Sequence, residues 1–177
     1  MKVLLMLGII IILMIIGIYS SLTKLKLKVK QSKSGIDVYL QQRFDLIPNL
    51  IETVKGYIKY EKNVFSEITQ LRNQYNQTKD LKVSENLNNQ LNDIMAIVEE
   101  YPELQASEQF LNLQKSLSKI ESQLQAARRI YNSDVTEYNT KISIFPYNIF
   151  AKTLGFKLEV LFEVTQDDAK ENVNIKK

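Results

Sequence analysis

Seventeen consecutive residues, Val3 to Tyr19, carry no charge, and nearly all of them are Ile, Leu or Met (VLLMLGIIIILMIIGIY). Ser20, Ser21 and Leu22 extend the run to twenty before Lys24. At about 1.5 Å per residue a helix of that length spans roughly 30 Å, the thickness of a bilayer's hydrocarbon core. The run has no polar stripe, so a helix here is apolar on every side. A cleaved signal peptide is the alternative. Its apolar core is normally shorter, and Ile18-Tyr19-Ser20-Ser21 matches a small-residue cleavage site poorly. Residues 1–22 are therefore expected to be a retained transmembrane anchor. No Cys follows it, which excludes lipoprotein maturation.

Lys2 precedes the run, and Lys24, Lys26, Lys28, Lys30 and Lys33 follow it. This imbalance places the following chain in the cytoplasm, on the inner side of the cell membrane. Residues 23–34 read as a basic juxtamembrane linker. Lys and apolar residues alternate there, which puts the lysines at anionic headgroups while Leu25, Leu27 and Val29 dip into the interface. Beyond residue 30 there are 18 bases and 20 acids. A body so close to neutral lacks the basic face that nucleic-acid binding requires.

Composition narrows the chemistry further. The chain has no Cys, His or Trp, five Gly and three Pro. Disulfides, thiol nucleophiles and thiolate metal sites are excluded. The commonest general base and metal ligand is also missing. No phosphate-cradling glycine loop is present. Glu52, Glu61 and Glu67 share one long helical stretch, but a di-metal carboxylate bundle normally pairs such residues with His. No cofactor, metal, catalytic group or small-molecule substrate is expected.

The body reads as long helices. Positions 40, 44, 47, 51, 54, 58, 61, 65, 68, 72 and 75 step by alternating fours and threes, and nine of these eleven are apolar or aromatic. Such a seam belongs to a bundle helix. Pro48 lies inside it and should kink or divide the helix, with Asp45 placed to cap the restart. Residues 76–84 read as a polar connection, and Ser84 as the cap of a second helix with seam Leu87, Leu91, Ile94, Val98 and Tyr101, ended by Pro102. Ser107 opens a third, with seam Phe110, Leu113, Leu117, Ile120, Leu124, Ala127 and Tyr131. There the pattern slips: Asp134 is wrong for a core, and the seam resumes at Val135, Tyr138, Ile142 and Phe145. Two successive steps of four make a stutter. Tyr147–Leu154 reads as a short helix stopped by Gly155. The expectation is an all-α chain. A transmembrane helix precedes an antiparallel bundle of three to four long helices over residues 35–165, and a polar, disordered tail occupies 166–177.

Several segments in this order resemble the LemA family of bacterial membrane proteins. The most specific is Asp45-Leu-Ile-Pro-Asn-Leu-Ile-Glu-Thr-Val-Lys-Gly-Tyr57. Others are Ile36-Asp37-Val38, Glu99-Glu100-Tyr101-Pro102-Glu103-Leu104, Ala126-Ala127-Arg128-Arg129-Ile130-Tyr131-Asn132, Tyr138-Asn139, Phe145-Pro146 and Gly155-Phe156. The resemblance covers about residues 35–163 plus the anchor. It implies a single-pass protein with an all-α body, and it implies no biochemical activity. Two departures stand out: Tyr60 occupies a position where members often have His, and Ser34-Gly35 one where they often have Trp.

Two polar groups mark the irregularities of the seams: Asp45, Asn49 and Glu52 around Pro48, and Arg128, Arg129, Tyr131 and Asn132 at the stutter. They read either as a partner-binding surface or as ion pairs that fix helix register. Arg128 or Arg129 is expected to meet Asp45 or Glu52. The functional expectation is a non-catalytic, membrane-anchored helical scaffold or adaptor that works through a protein partner or self-association. The alternative is an accessory subunit modulating a membrane protease or envelope system.

Overall fold

The computed structural model describes residues 1–57 and 62–162, and among these every regular element is an α-helix. They are α1 (Lys2–Asp45), α2 (Ile47–Lys55), α3 (Lys62–Thr78), α4 (Leu81–Val98), α5 (Pro102–Gln105), α6 (Glu108–Ser143) and α7 (Tyr147–Thr153). The seam positions Ile58 and Glu61 and the polar tail lie outside the described residues.

Helix α1 is unbroken for 44 residues. The stretch expected as a linker, 23–34, is helical throughout. This changes how its alternation is read. Residues two apart on a helix face nearly opposite ways, so Val29 is buried while Leu27 is 59% exposed. The three apolar residues do not form one face. Lys2–Lys55 contains a stretch long and apolar enough to cross a membrane. It is exposed along Val3–Leu7 and Ile9–Met14, unlike the core helix of a globular domain.

The chain divides into two compact units, Ser34–Ala126 and Met1–Lys33 with the chain from Ala127 onward. In the Ser34–Ala126 unit the seams are buried as the heptad steps require: Leu40, Phe44, Ile47, Ile51 and Val54, then Phe65, Ile68 and Tyr75, then Leu87, Leu91, Ile94 and Val98. Helices α3 and α4 form a hairpin with only Lys79 and Asp80 between them. Lys79 takes a positive φ of 51°. Asp80, not Ser84, caps α4, accepting from the Lys82 amide at 2.9 Å. Ser84 is instead inside the helix and buried, one step before Leu87 on the seam. Pro102 does not end the second helix, which stops at Val98; it opens α5, where a missing amide hydrogen costs nothing. Ser107 caps α6 as its position suggested, accepting from the Phe110 amide at 3.3 Å.

In the other unit, α6 buries Ala127, Tyr131, Val135, Tyr138 and Ile142. Asp134 is buried beside Val135, because the stutter turns two adjacent positions inward. Its charge is matched by Lys28 of α1 at 3.0 Å. Phe145 is not on the seam: α6 has ended at Ser143, and the ring is 77% exposed. After α7, Gly155 adopts φ 76°, and the Phe156 amide reaches back to the Ala151 carbonyl at 3.0 Å. This is a left-handed helix stop that a Cβ would strain.

Candidate functional site

The two polar groups singled out above fall in different units, Asp45, Asn49 and Glu52 in one and Arg128, Arg129, Tyr131 and Asn132 in the other. Each has its own local task.

Around Pro48 the task is set by a missing donor. A residue at 48 in an unbroken helix would donate its amide to the Phe44 carbonyl, and Pro has none. Arg72 fills the gap from α3. Its Nε donates to the Phe44 carbonyl at 3.0 Å, and its Nη2 meets Asp45 Oδ1 at 3.1 Å. Asp45 therefore does not cap α2, whose N-cap is Leu46 with no side-chain bond. It steers the guanidinium that repairs the break, and Gln41 donates to the same carboxylate oxygen at 2.9 Å. Arg72 is one of the two charged residues on the seam of positions 40–75, and the orphaned carbonyl accounts for it. Nearby, Arg43 of α1 pairs with Glu121 of α6. Asn49 and Glu52 are exposed and line a shallow surface cleft of about 640 Å³ with Gln109 and Asn112.

At the stutter the task is larger. Residues 156–162 run extended along α6, with no strand beside them among the described residues. Two asparagines serve as that strand. The Asn139 side chain donates to the Glu159 carbonyl at 2.8 Å and accepts the Glu159 amide at 2.9 Å. Asn132 does the same for Phe162, at 2.9 and 2.7 Å. Beside each asparagine, a tyrosine hydroxyl donates to another carbonyl: Tyr138 to Lys157 at 3.0 Å and Tyr131 to Val160 at 2.9 Å. The geometry follows from two repeats. Seven helical residues advance about 10.5 Å, and three extended residues advance about 10 Å. The dipeptide Tyr-Asn repeats at 131 and 138, and the groups it grips repeat three residues apart along the extended segment, in the opposite direction. Burial, aided by the Glu159 carboxylate, pushes the ionisation of both tyrosine hydroxyls up, so they stay protonated as donors.

Arg128 and Arg129 part company. The Arg128 guanidinium lies over the Phe162 ring, 4.7 Å from its centroid, while Arg129 is exposed. The sequence reading singled out Tyr131 and Asn132 but left Tyr138 and Asn139 out of the cluster. The signal available was the Tyr-Asn repeat at a spacing of seven.

The flanking lysines also separate. Lys28 bridges Asp134 and Glu137, at 3.0 and 2.8 Å. These partners, Glu137 first, raise its ionisation above the ordinary lysine value. Lys26, Lys30 and Lys33 instead line a cleft of about 460 Å³ in the same unit. Lys24 is exposed and does not line it. Among the described residues no group of three carboxylates converges as metal ligands would.

A family model described as the LemA family matches residues 32–176. Protein LemA of Metamycoplasma hominis is 26% identical over 144 residues, covering 78% of this chain and 66% of its own length. Magnetosome protein MamQ 2 of Paramagnetospirillum magneticum is 22% identical over 175 residues, 82% of this chain and 64% of its own. Magnetosome protein MamQ of Magnetospirillum gryphiswaldense is 23% identical over 155 residues, 71% of this chain and 57% of its own. The chain thus spans about two thirds or less of the length of these curated relatives.

Proposed function

The chain belongs to the LemA family, and from that premise we propose that it is a non-catalytic, single-pass, membrane-anchored helical scaffold or adaptor of the cell membrane. One observation carries the reading. Helix α1 does not end with the apolar run: the same helix carries Lys28, which pairs with Asp134 and Glu137 of α6. The apolar run is thereby tied to packed helical structure, which is what an adaptor held at a membrane requires. The chain's polar investment supports the same reading. Arg72, Asp45 and the two Tyr-Asn pairs are spent on backbone groups and internal ion pairs, where they fix shape.

In this reading the body lies in the cytoplasm, following the lysine imbalance, and its partner is a protein, either another chain or a second copy. Carbonate washing of membranes should leave the chain in the pellet with Val3–Tyr19 intact; release into the wash, or loss of that run, refutes the anchor. A reporter fused after Lys177 should report the cytoplasm. Cross-linking in detergent extracts, with and without residues 1–22, then separates the roles. Self-association alone supports the scaffold. A specific membrane enzyme lost with the anchor points to an accessory subunit instead.

A further inference from the structure

The lysines that follow the apolar run are not equivalent once α1 is helical through them. Lys26, Lys30 and Lys33 stand at i, i+4 and i+7 and share one face. Lys28 lies off that face and is taken up by Asp134 and Glu137. The three co-facial lysines line the 460 Å³ cleft, and Glu159 is the carboxylate among its described lining residues. Thr23 lines it too, and its Oγ1 is buried with no hydrogen-bond partner among the described residues. A buried hydroxyl left so carries a cost unless something bonds it. The opposite wall is the Gly155–Phe156 stop, held in place by the Tyr-Asn pairs. The Phe156 ring sits 5.8 Å from Lys26 Nζ and packs on Tyr19 at 6.0 Å between centroids.

Depth identifies the occupant. The cleft starts at Tyr19, near the end of the uncharged run, and Lys26 lies four residues beyond Leu22, about 6 Å along the helix. With the run across a bilayer, that is the level of the lipid headgroups. Tyr19 and the Phe156 ring packed on it make the membrane side of the cleft apolar, which suits a lipid's glycerol and acyl ends and serves no purpose for free phosphate. We propose that this cleft binds the phosphate-bearing headgroup of an anionic membrane lipid. Lys26, Lys30 and Lys33 meet the phosphate, and the Thr23 hydroxyl donates to one of its oxygens. The proposal rests on the anchor reading above for its depth argument.

The test uses the full chain in neutral detergent, with lipid retention measured by native mass spectrometry. Phosphatidylglycerol should be retained over phosphatidylcholine. Replacing Lys26, Lys30 and Lys33 with Gln should lower its retention, by roughly fivefold per lysine removed. Replacing Lys2, Lys24 and Lys115 with Gln changes charge equally outside the cleft and should leave retention near wild type. Thr23→Val should weaken it by a smaller factor. Equal loss in both lysine triples overturns the proposal, because it marks a general charge effect. Displacement of the lipid by millimolar inorganic phosphate also overturns it, because the site then belongs to a free anion. Circular dichroism of each variant separates misfolding from lost binding; if the cleft triple unfolds, Lys26→Gln alone must still show the loss. Carbonate extraction reports on the anchor independently, so a chain that binds lipid in detergent yet washes off membranes fails the anchor and not the cleft.

Discussion

Two places in this molecule leave backbone groups without a partner, and they are mended in different ways. At Pro48 one carbonyl is orphaned inside a helix, and one charged side chain, Arg72, reaches it from a neighbouring helix while Asp45 holds the guanidinium. Along residues 157–162 an extended segment has no strand beside it among the described residues, and four neutral side chains of α6 supply a substitute ladder. A single gap is filled by one forked donor with a counter-ion. A repeated gap needs a repeated motif whose helical spacing matches the extended rise, and it needs amides, because a side-chain amide carries its donor and its acceptor on separate atoms and so pairs with the carbonyl and the amide of one residue at once.

The comparison breaks first at the asparagines. Asn132→Ala with Asn139→Ala removes four hydrogen bonds and strands two amides and two carbonyls. At about 1 kcal/mol for each half-buried group, a loss of roughly 2–4 kcal/mol is expected. Thermal unfolding of the full chain in detergent should show it, and hydrogen exchange at Glu159 and Phe162 should accelerate. Asn→Asp at either site should keep the bond accepted from the backbone amide and lose the one donated to the carbonyl, since a carboxylate accepts and cannot donate. Unchanged exchange at those amides would show that the ladder is not what holds the segment.

Arg72→Ala comes next, at about 1–3 kcal/mol, because the Phe44 carbonyl loses its donor. Pro48→Ala supplies an amide at the right position. In the Arg72→Ala background it should therefore cost less than in the wild type, or even stabilise. A double-mutant cycle reads the coupling directly. If the two changes simply add, Arg72 serves some purpose other than mending the Pro48 break.

The third effect appears only in alkali. Burial, with a smaller contribution from Asp37, pushes Tyr75 up to about 12, and Tyr131 and Tyr138 are raised in the same sense. A raised group binds its proton more tightly in the folded chain. Its contribution is complete below the unfolded value near 10 and is lost as pH climbs through the folded one. Stability should hold level up to about pH 10 and then fall steadily towards 12. Tyr131→Phe with Tyr138→Phe should make the fall shallower. A fall beginning well below pH 9 would point to other groups.

The smallest effect separates neighbours. Arg128→Ala loses a half-exposed stacking contact with Phe162 worth about 0.5–1 kcal/mol, and Arg129→Ala should change stability by no measurable amount. Equal effects from the two would mean the stacking contributes nothing.

Much of this was legible in the residues. The seams at Leu40 to Val54 and Leu87 to Val98 announced themselves by period, because an amphipathic helix must repeat its apolar face every three to four residues. Gly155 announced a helix stop. The polar residues at Pro48 and at the stutter stood out by pattern, and the side chains and backbone groups they bond did not. Asp45 was expected to cap a helix or to meet an arginine far along the chain, and it holds Arg72 instead. Asp134 looked unfit for a core and is buried, since a stutter brings two neighbouring positions inward and Lys28 meets the charge.

The sequence by itself determined the apolar run, the helical period of the body and the lysine imbalance around the run. Each depends only on the order of side chains along one segment, and the periodicity of a helix translates that order directly. The tertiary structure alone decided which lysines share a cleft and which one is neutralised by Asp134 and Glu137. It also decided which arginine mends Pro48, and that the Tyr-Asn repeat grips a segment some twenty to thirty residues further along. These are pairings between distant positions. They are fixed by the relative rotation of packed elements and by which backbone groups are left without a partner, and neither quantity is written in any local pattern.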